Sequence, residues 1–108
     1  MQPSLSIHLA AIEKMKAFIG TLQKERSNRP GHGYFVGDPD GLVHSCWHIY
    51  EMERLLLRVN TLRAQCGFGT ITLDDLRRVE RMAVGHSDYT HKLALYATEL
   101  AEGIQPIP

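Results

Sequence analysis

This chain contains few cysteine and tryptophan residues and has no net charge. Its 108 residues include two Cys and one Trp, and 12 basic residues balance 12 acidic ones. A net charge near zero counts against a general nucleic-acid binder or an acidic DNA mimic, since both depend on a strong overall field. It also leaves little charge repulsion against self-association, so a homodimer is one alternative for the assembled state.

Long apolar runs and targeting signals are also missing. No apolar run approaches the roughly 18 residues of a membrane span, and no basic segment followed by an apolar one marks a signal peptide at the start. Cys46 and Cys66 fall on one predicted helix about 30 Å apart, beyond the Cα separation of about 7 Å that a disulfide allows. These features predict a protein of the reducing cytoplasm without membrane association.

The stretch from Leu42 to Cys66 is predicted to be the central helix. It contains neither Gly nor Pro and is rich in Leu, Glu, Arg and Met, which favour helices. Two apolar strips, one of them through Leu55 and Val59 and the other through Tyr50, indicate contacts on two sides. As an alternative for its start, residues 42–44 pair with residues 34–36 as a short hairpin.

Helical periodicity and cap residues predict three further helices. They run from Ser4 or Ser6 to about Lys24, from Thr72 to Gly85, and from Ser87 or Asp88 to about Glu102. Residues 25–41 are predicted to form a Gly-rich loop, which contains the hairpin if it exists. Phe68 is expected to pack into the core, and the tail 104–108 is expected to be loose. Apolar residues make up 44% of the chain, enough for one all-α domain over residues 1–108, a four-helix bundle.

Complete catalytic motifs are absent. The Gly-His-Gly at 31–33 lacks the Lys and Ser/Thr of a phosphate-binding loop. His86, Ser87 and Asp88 are the residue types of a hydrolytic triad, but adjacent side chains point in different directions, and a helix cap explains them more simply. The sequence therefore predicts a protein that is not an enzyme and needs no cofactor.

His44 and His48 are the best candidate metal ligands. Four residues apart on a helix, they share a face, as in a two-His zinc pair. Further ligands would have to come from His86, Asp88 or His91 through tertiary contact, and no Glu follows His44 as the zinc-protease pattern requires. A buried structural role for His48 is favoured, and zinc binding is kept as an alternative.

A basic face and an aromatic face are the candidate partner-binding surfaces. Arg77, Arg78 and Arg81 lie on the outer face of the third helix, and Tyr89 and Tyr96 lie seven apart on the fourth. A helix-turn-helix comparison fails where a small residue is needed, because Arg81 occupies that position. Asp74 also pairs with some of the arginine charge, so nucleic-acid binding is disfavoured.

These features predict a small non-enzymatic interaction module: an adaptor, inhibitor or regulatory subunit that binds a protein partner or itself. The predicted partner-binding residues are Arg77, Arg78, Arg81, Tyr89 and Tyr96. One alternative is a metal-binding or metal-sensing protein that uses His44 and His48. The other is a nucleic-acid-binding regulator that uses the three arginines.

Overall fold

The computed structural model describes residues 3–27 and 42–106, with side chains described for residues 5–25 and 48–106. Four helices pack together, and the predicted all-α bundle is confirmed. In chain order they are α1 (Pro3–Ser27), α2 (Leu42–Gln65), α3 (Leu73–Ala83) and α4 (Tyr89–Ala101). No helix within these ranges is long and apolar enough to cross a membrane.

The two middle positions of the bundle belong to α2 and α4. Each packs against the other three helices, and α4 does so more extensively, above all against α1. Across the described residues, α1 and α3 do not pack on each other. They therefore lie on different sides of the α2–α4 pair, and the centre predicted for α2 alone is shared with α4.

The core is a single apolar cluster to which all four helices contribute. On each helix its members recur at spacings of three and four residues, so that they line one face. Fully burying a Leu or Val side chain contributes about 1.5–3 kcal/mol, and Leu55, Val59 and Leu76 have no exposed surface. The buried apolar residues are Ile12, Met15, Ile19, Leu22, Met52, Leu55, Val59, Leu76, Val79, Ala83, Leu93, Ala94, Ala97, Leu100 and Ala101.

Local signals set the start of α3, as predicted. The Thr72 hydroxyl accepts a hydrogen bond from the Asp75 amide, and the Asp75 carboxylate accepts one from the Thr72 amide, at 3.1 and 3.0 Å. The Thr72 amide thereby holds the pKa of Asp75 below its ordinary value. The start of α4 differs: Asp88 occupies the N-cap position, but its side chain makes no capping hydrogen bond.

Arg63 holds the loop between α2 and α3 against the end of α4. Its Nε and one terminal nitrogen donate to the carbonyl oxygens of Gly69 and Leu100, each at 2.6 Å. The prediction that Phe68 plugs into the core is wrong, because its ring is 42% exposed. The loop is held outside the bundle, and the ring lies over Gly103 and 5.5 Å from the Arg63 guanidinium instead.

Several predictions fall on residues that the structure does not describe. Residues 34–36, one half of the alternative hairpin, and most of the Gly-rich loop lie outside the described ranges. The other half, residues 42–44, belongs to the first turn of α2. In the predicted tail, Ile104 is exposed and Pro106 is buried, while residues 107–108 are not described.

Two glycines should respond in opposite directions to substitution by alanine. Gly103 has a φ of +77°, and a Cβ there would overlap the Phe68 ring. We expect Gly103→Ala to lower the free energy of unfolding by about 1–2 kcal/mol through backbone strain alone. Gly20 lies inside α1 with open space around it. Gly20→Ala should therefore raise the free energy of unfolding by about 0.5–1 kcal/mol.

Chemical denaturation of both variants checks this prediction. The double variant Phe68→Ala/Gly103→Ala should lose less stability than the two single changes added together, because removing the ring relieves the overlap and leaves only the backbone strain. Equal effects of alanine at positions 20 and 103 would contradict the assigned backbone geometry.

Candidate functional site

The three predicted partner-binding arginines of α3 differ in their surroundings. Arg78 forms an ion pair with Asp75 one turn earlier. Arg77 lies close enough to Glu80 to influence its ionisation. Arg81 is exposed and makes no hydrogen bond or ion pair with any described residue. Of the predicted basic face, Arg81 is therefore the cation most available to a partner.

Arg78 and Arg81 line a groove between α3 and the segment that follows α4, called here the α3 groove. It has a volume of about 560 Å³, within the range of about 300–1,000 Å³ that is typical of ligand sites. Apolar side chains from α3, from the end of α4 and from the residues on either side of them form its floor. Its lining residues are Ile71, Asp75, Arg78, Val79, Arg81, Met82, Leu100, Gln105 and Pro106.

Tyr89 and Tyr96 do not join the arginines. Both side chains are half-buried and pack against the apolar core, and neither lines the α3 groove. The Tyr89 hydroxyl donates a hydrogen bond to Glu80 Oε2 at 2.8 Å. Their assignment to a partner surface remains a prediction, separate from that of the arginines.

A buried polar cluster lies where α2, α3 and α4 meet. The His48 imidazole lies between two glutamates, with Nδ1 3.9 Å from Glu51 Oε1 and Nε2 3.6 Å from Glu80 Oε2. Glu51 and Glu80 are only 6% and 7% exposed. The His48 side chain is 24% exposed, so it lies at the edge of the core and is less buried than predicted, and its structural role stays a prediction.

Sequence reasoning missed both glutamates. Its charge alone would place Glu51 on the polar side of α2, but the residue is buried. Its neighbours Met52 and Leu55 lie on the buried face, and Glu51 lies four residues before Leu55. Glu80 completes the spacing of Leu76, Val79 and Ala83, all buried, so the same 3–4 periodicity that identifies the apolar stripe could have placed it in the core.

The ionisation of Glu80 depends on its neighbours. Burial raises the pKa of this carboxyl, but the nearby His48 imidazole and the hydrogen bond from Tyr89 together lower it by more, and the pKa lies below its ordinary value. Glu80 is therefore a carboxylate at neutral pH. The Tyr89 hydroxyl and the nearby imidazole compensate for the burial of this carboxylate, whereas removal of the hydroxyl leaves part of its desolvation uncompensated.

The described residues around His48 do not form a set of zinc ligands. The carboxylates of Glu51 and Glu80 lie beside different nitrogens of His48, so the three groups do not converge on one point. Among the described residues, no group of three His, Cys, Asp or Glu could hold a metal ion. The side chain of His44 lies outside the described ranges, so zinc binding by His44 and His48 stays a prediction.

Comparisons with models of protein families, with curated proteins and with solved structures found no match to this chain. A functional assignment must therefore come from its own side chains and surfaces. The α3 groove combines volume, an apolar floor and an available cation.

The cluster predicts that stability depends on the Tyr89 hydroxyl in a pH-dependent way. We expect Tyr89→Phe to lower the free energy of unfolding by about 1–3 kcal/mol at neutral pH, because the Glu80 carboxylate loses a donor. A carboxyl with a lowered pKa contributes stability above its ordinary pKa of 4.5, and this is lost as the pH falls through the pKa of the folded state. The difference from wild type should therefore shrink at an acidic pH well below 4.5.

Urea denaturation at both pH values measures this difference. Tyr96→Phe is the matched control, since the Tyr96 hydroxyl makes no hydrogen bond with the described residues, and it should change stability by less than about 0.5 kcal/mol at either pH. A loss in Tyr89→Phe that is the same at both pH values would show that Glu80 ionisation is not involved.

Proposed function

We propose that this protein is a non-enzymatic interaction module, an adaptor, inhibitor or regulatory subunit, that binds a partner protein in the α3 groove. The single observation that supports it most is the presence of the available Arg81 cation beside a groove of about 560 Å³ with an apolar floor. Interfaces typically combine an apolar centre with a polar rim in this way.

The apolar floor would supply most of the binding free energy. Met82 and Ile71 are half-buried and Val79 and Leu100 are buried, so an inserted side chain would meet a packed apolar surface. Met fits partners of different shapes because its side chain is flexible and polarisable. A partner would therefore anchor here with one or two apolar side chains.

The polar residues at the rim of the α3 groove would orient the partner and make binding selective. Arg78 is already paired with Asp75, so the carboxylate that best suits the groove is one that reaches Arg81. Arginine offers a planar fork of donors that suits a carboxylate. A partner segment that carries an acidic residue next to an apolar anchor matches both parts of the groove.

Nucleic-acid binding receives less support from the same residues. Phosphate recognition gains from several unpaired cations along one surface. Here Arg78 pairs with Asp75 and Arg77 lies near Glu80, and the groove itself contains the Asp75 carboxylate. One available arginine beside an apolar floor suits a protein side chain better than a phosphate backbone.

A charge reversal at Arg81 tests the proposal. Tagged protein would be used to capture partners from its native cells at about 0.15 M salt, with mass spectrometry as the readout. We expect Arg81→Glu to reduce recovery of the principal partner at least about tenfold, because the rim then repels an acidic residue. Arg81 is exposed, so the fold should survive.

Lys14→Glu is the matched control, because it makes the same change in charge at an exposed position on α1. It should leave recovery of the partner unchanged. Recovery that is equal for wild type and Arg81→Glu, or that falls equally with both substitutions, would mean that the α3 groove does not bind the partner.

A further inference from the structure

A second groove lies between α1 and α2, called here the α1–α2 groove. It has a volume of about 310 Å³. Phe18 and Leu62 are half-buried, and Leu57 is 66% exposed, so the groove presents apolar surface to solvent. Its lining residues are Phe18, Arg54, Leu57, Arg58, Thr61, Leu62 and Gln65.

The charges of this groove are of one sign. Arg54 and Arg58 line it, and none of the described residues that line it is acidic, in contrast to the α3 groove with Asp75. Arg54 already has partners, since it donates to the Tyr50 hydroxyl at 3.1 Å and lies 3.6 Å from Glu25. Arg58 has neither kind of partner among the described residues.

Arg58 is held in position by an aromatic ring. Its guanidinium carbon lies 4.8 Å from the centre of the Phe18 ring, a stacking that uses the face of the guanidinium and leaves its edge for hydrogen bonds. Its Nε is buried and has no acceptor among the residues that the structure describes. An oriented cation without an acceptor is suited to a carboxylate that arrives with a ligand.

The shape of the groove indicates a helical ligand. Leu57, Thr61 and Gln65 follow one another at four-residue spacing along α2, with Arg54 one turn earlier. The stretch from 54 to 65 is about 16 Å long, or three helical turns. A groove of this length between two helices fits the apolar face of an amphipathic helix, which docks through anchors at i, i+3 or i+4, and i+7.

We infer that the α1–α2 groove binds an acidic amphipathic helix of a partner protein, with apolar anchors on Phe18, Leu57 and Leu62 and a carboxylate on Arg58. This site is distinct from the α3 groove, because the two share no residue. Since α1 and α3 lie on different sides of the α2–α4 pair, the two grooves open on different edges of the bundle. The protein would then bridge two partners.

A designed peptide tests the inference without knowledge of the natural partner. The probe is a fluorescein-labelled helical peptide of about 18 residues, made of Glu, Ala and Leu, with Leu at i, i+3 or i+4, and i+7. Fluorescence anisotropy with the full chain should give saturable binding that weakens as salt is raised. A peptide with Lys in place of each Glu should not bind.

Variants locate the site of binding. Arg58→Glu should weaken binding at least about tenfold, and Arg58→Lys should weaken it less, because the charge is kept while the stacking on Phe18 is lost. Leu57→Ala, at an exposed position, should weaken binding while leaving thermal unfolding unchanged. Arg81→Glu and Lys14→Glu should bind like wild type.

Each contrary result has its own meaning. Absence of binding to wild type, or binding that ignores both Arg58→Glu and Leu57→Ala, would overturn the inference while leaving the α3 groove untouched. Binding that depends on Arg81 and not on Arg58 would place the acidic helix in the α3 groove, which overturns the second site but favours the proposed function. Failure of the Arg81 capture experiment alone would remove the first site only.

Discussion

The structure depends on how completely α4 is buried. Leu93, Ala94, Ala97 and Ala101 are each at most 3% exposed, and this helix packs against all three of the others. Small side chains let helix backbones approach closely, and the pairing of α4 with α1 is the most extensive in the bundle. A larger residue at Ala94 or Ala97 would push the helices apart, because packed interiors have little room to adjust.

This central position of α4 decides where the two grooves lie. With α2 and α4 in the middle, α1 and α3 do not pack on each other in the described part of the chain. Among the described residues, the α1–α2 groove and the α3 groove share no lining residue. A bundle of this kind can offer two binding surfaces, whereas one in which α1 and α3 met would leave fewer edges open.

Features that depend on residues close together in the sequence could be predicted, whereas features that depend on contacts between distant residues could not. The start of α3 follows from Thr72 and Asp75, three residues apart, and its position was predicted correctly. The exposure of Phe68 depends on the Arg63 hydrogen bond to Leu100, 37 residues away. The α3 groove likewise needs Pro106 beside α3, which periodicity does not indicate. The burial of Glu80 was readable from its spacing, but its charge argued for the surface.

Glu80 also connects the core to the candidate site. Leu76, Val79, Glu80 and Ala83 form the buried stripe of α3, and Val79 also lines the α3 groove. The rotation of α3 about its axis therefore decides whether Arg78 and Arg81 face the groove. Apolar contacts alone tolerate some rotation, but the hydrogen bond from Tyr89 and the nearby His48 hold the Glu80 carboxylate in one direction. A buried carboxylate with few partners is expensive to displace, so this cluster keeps the arginines at the rim.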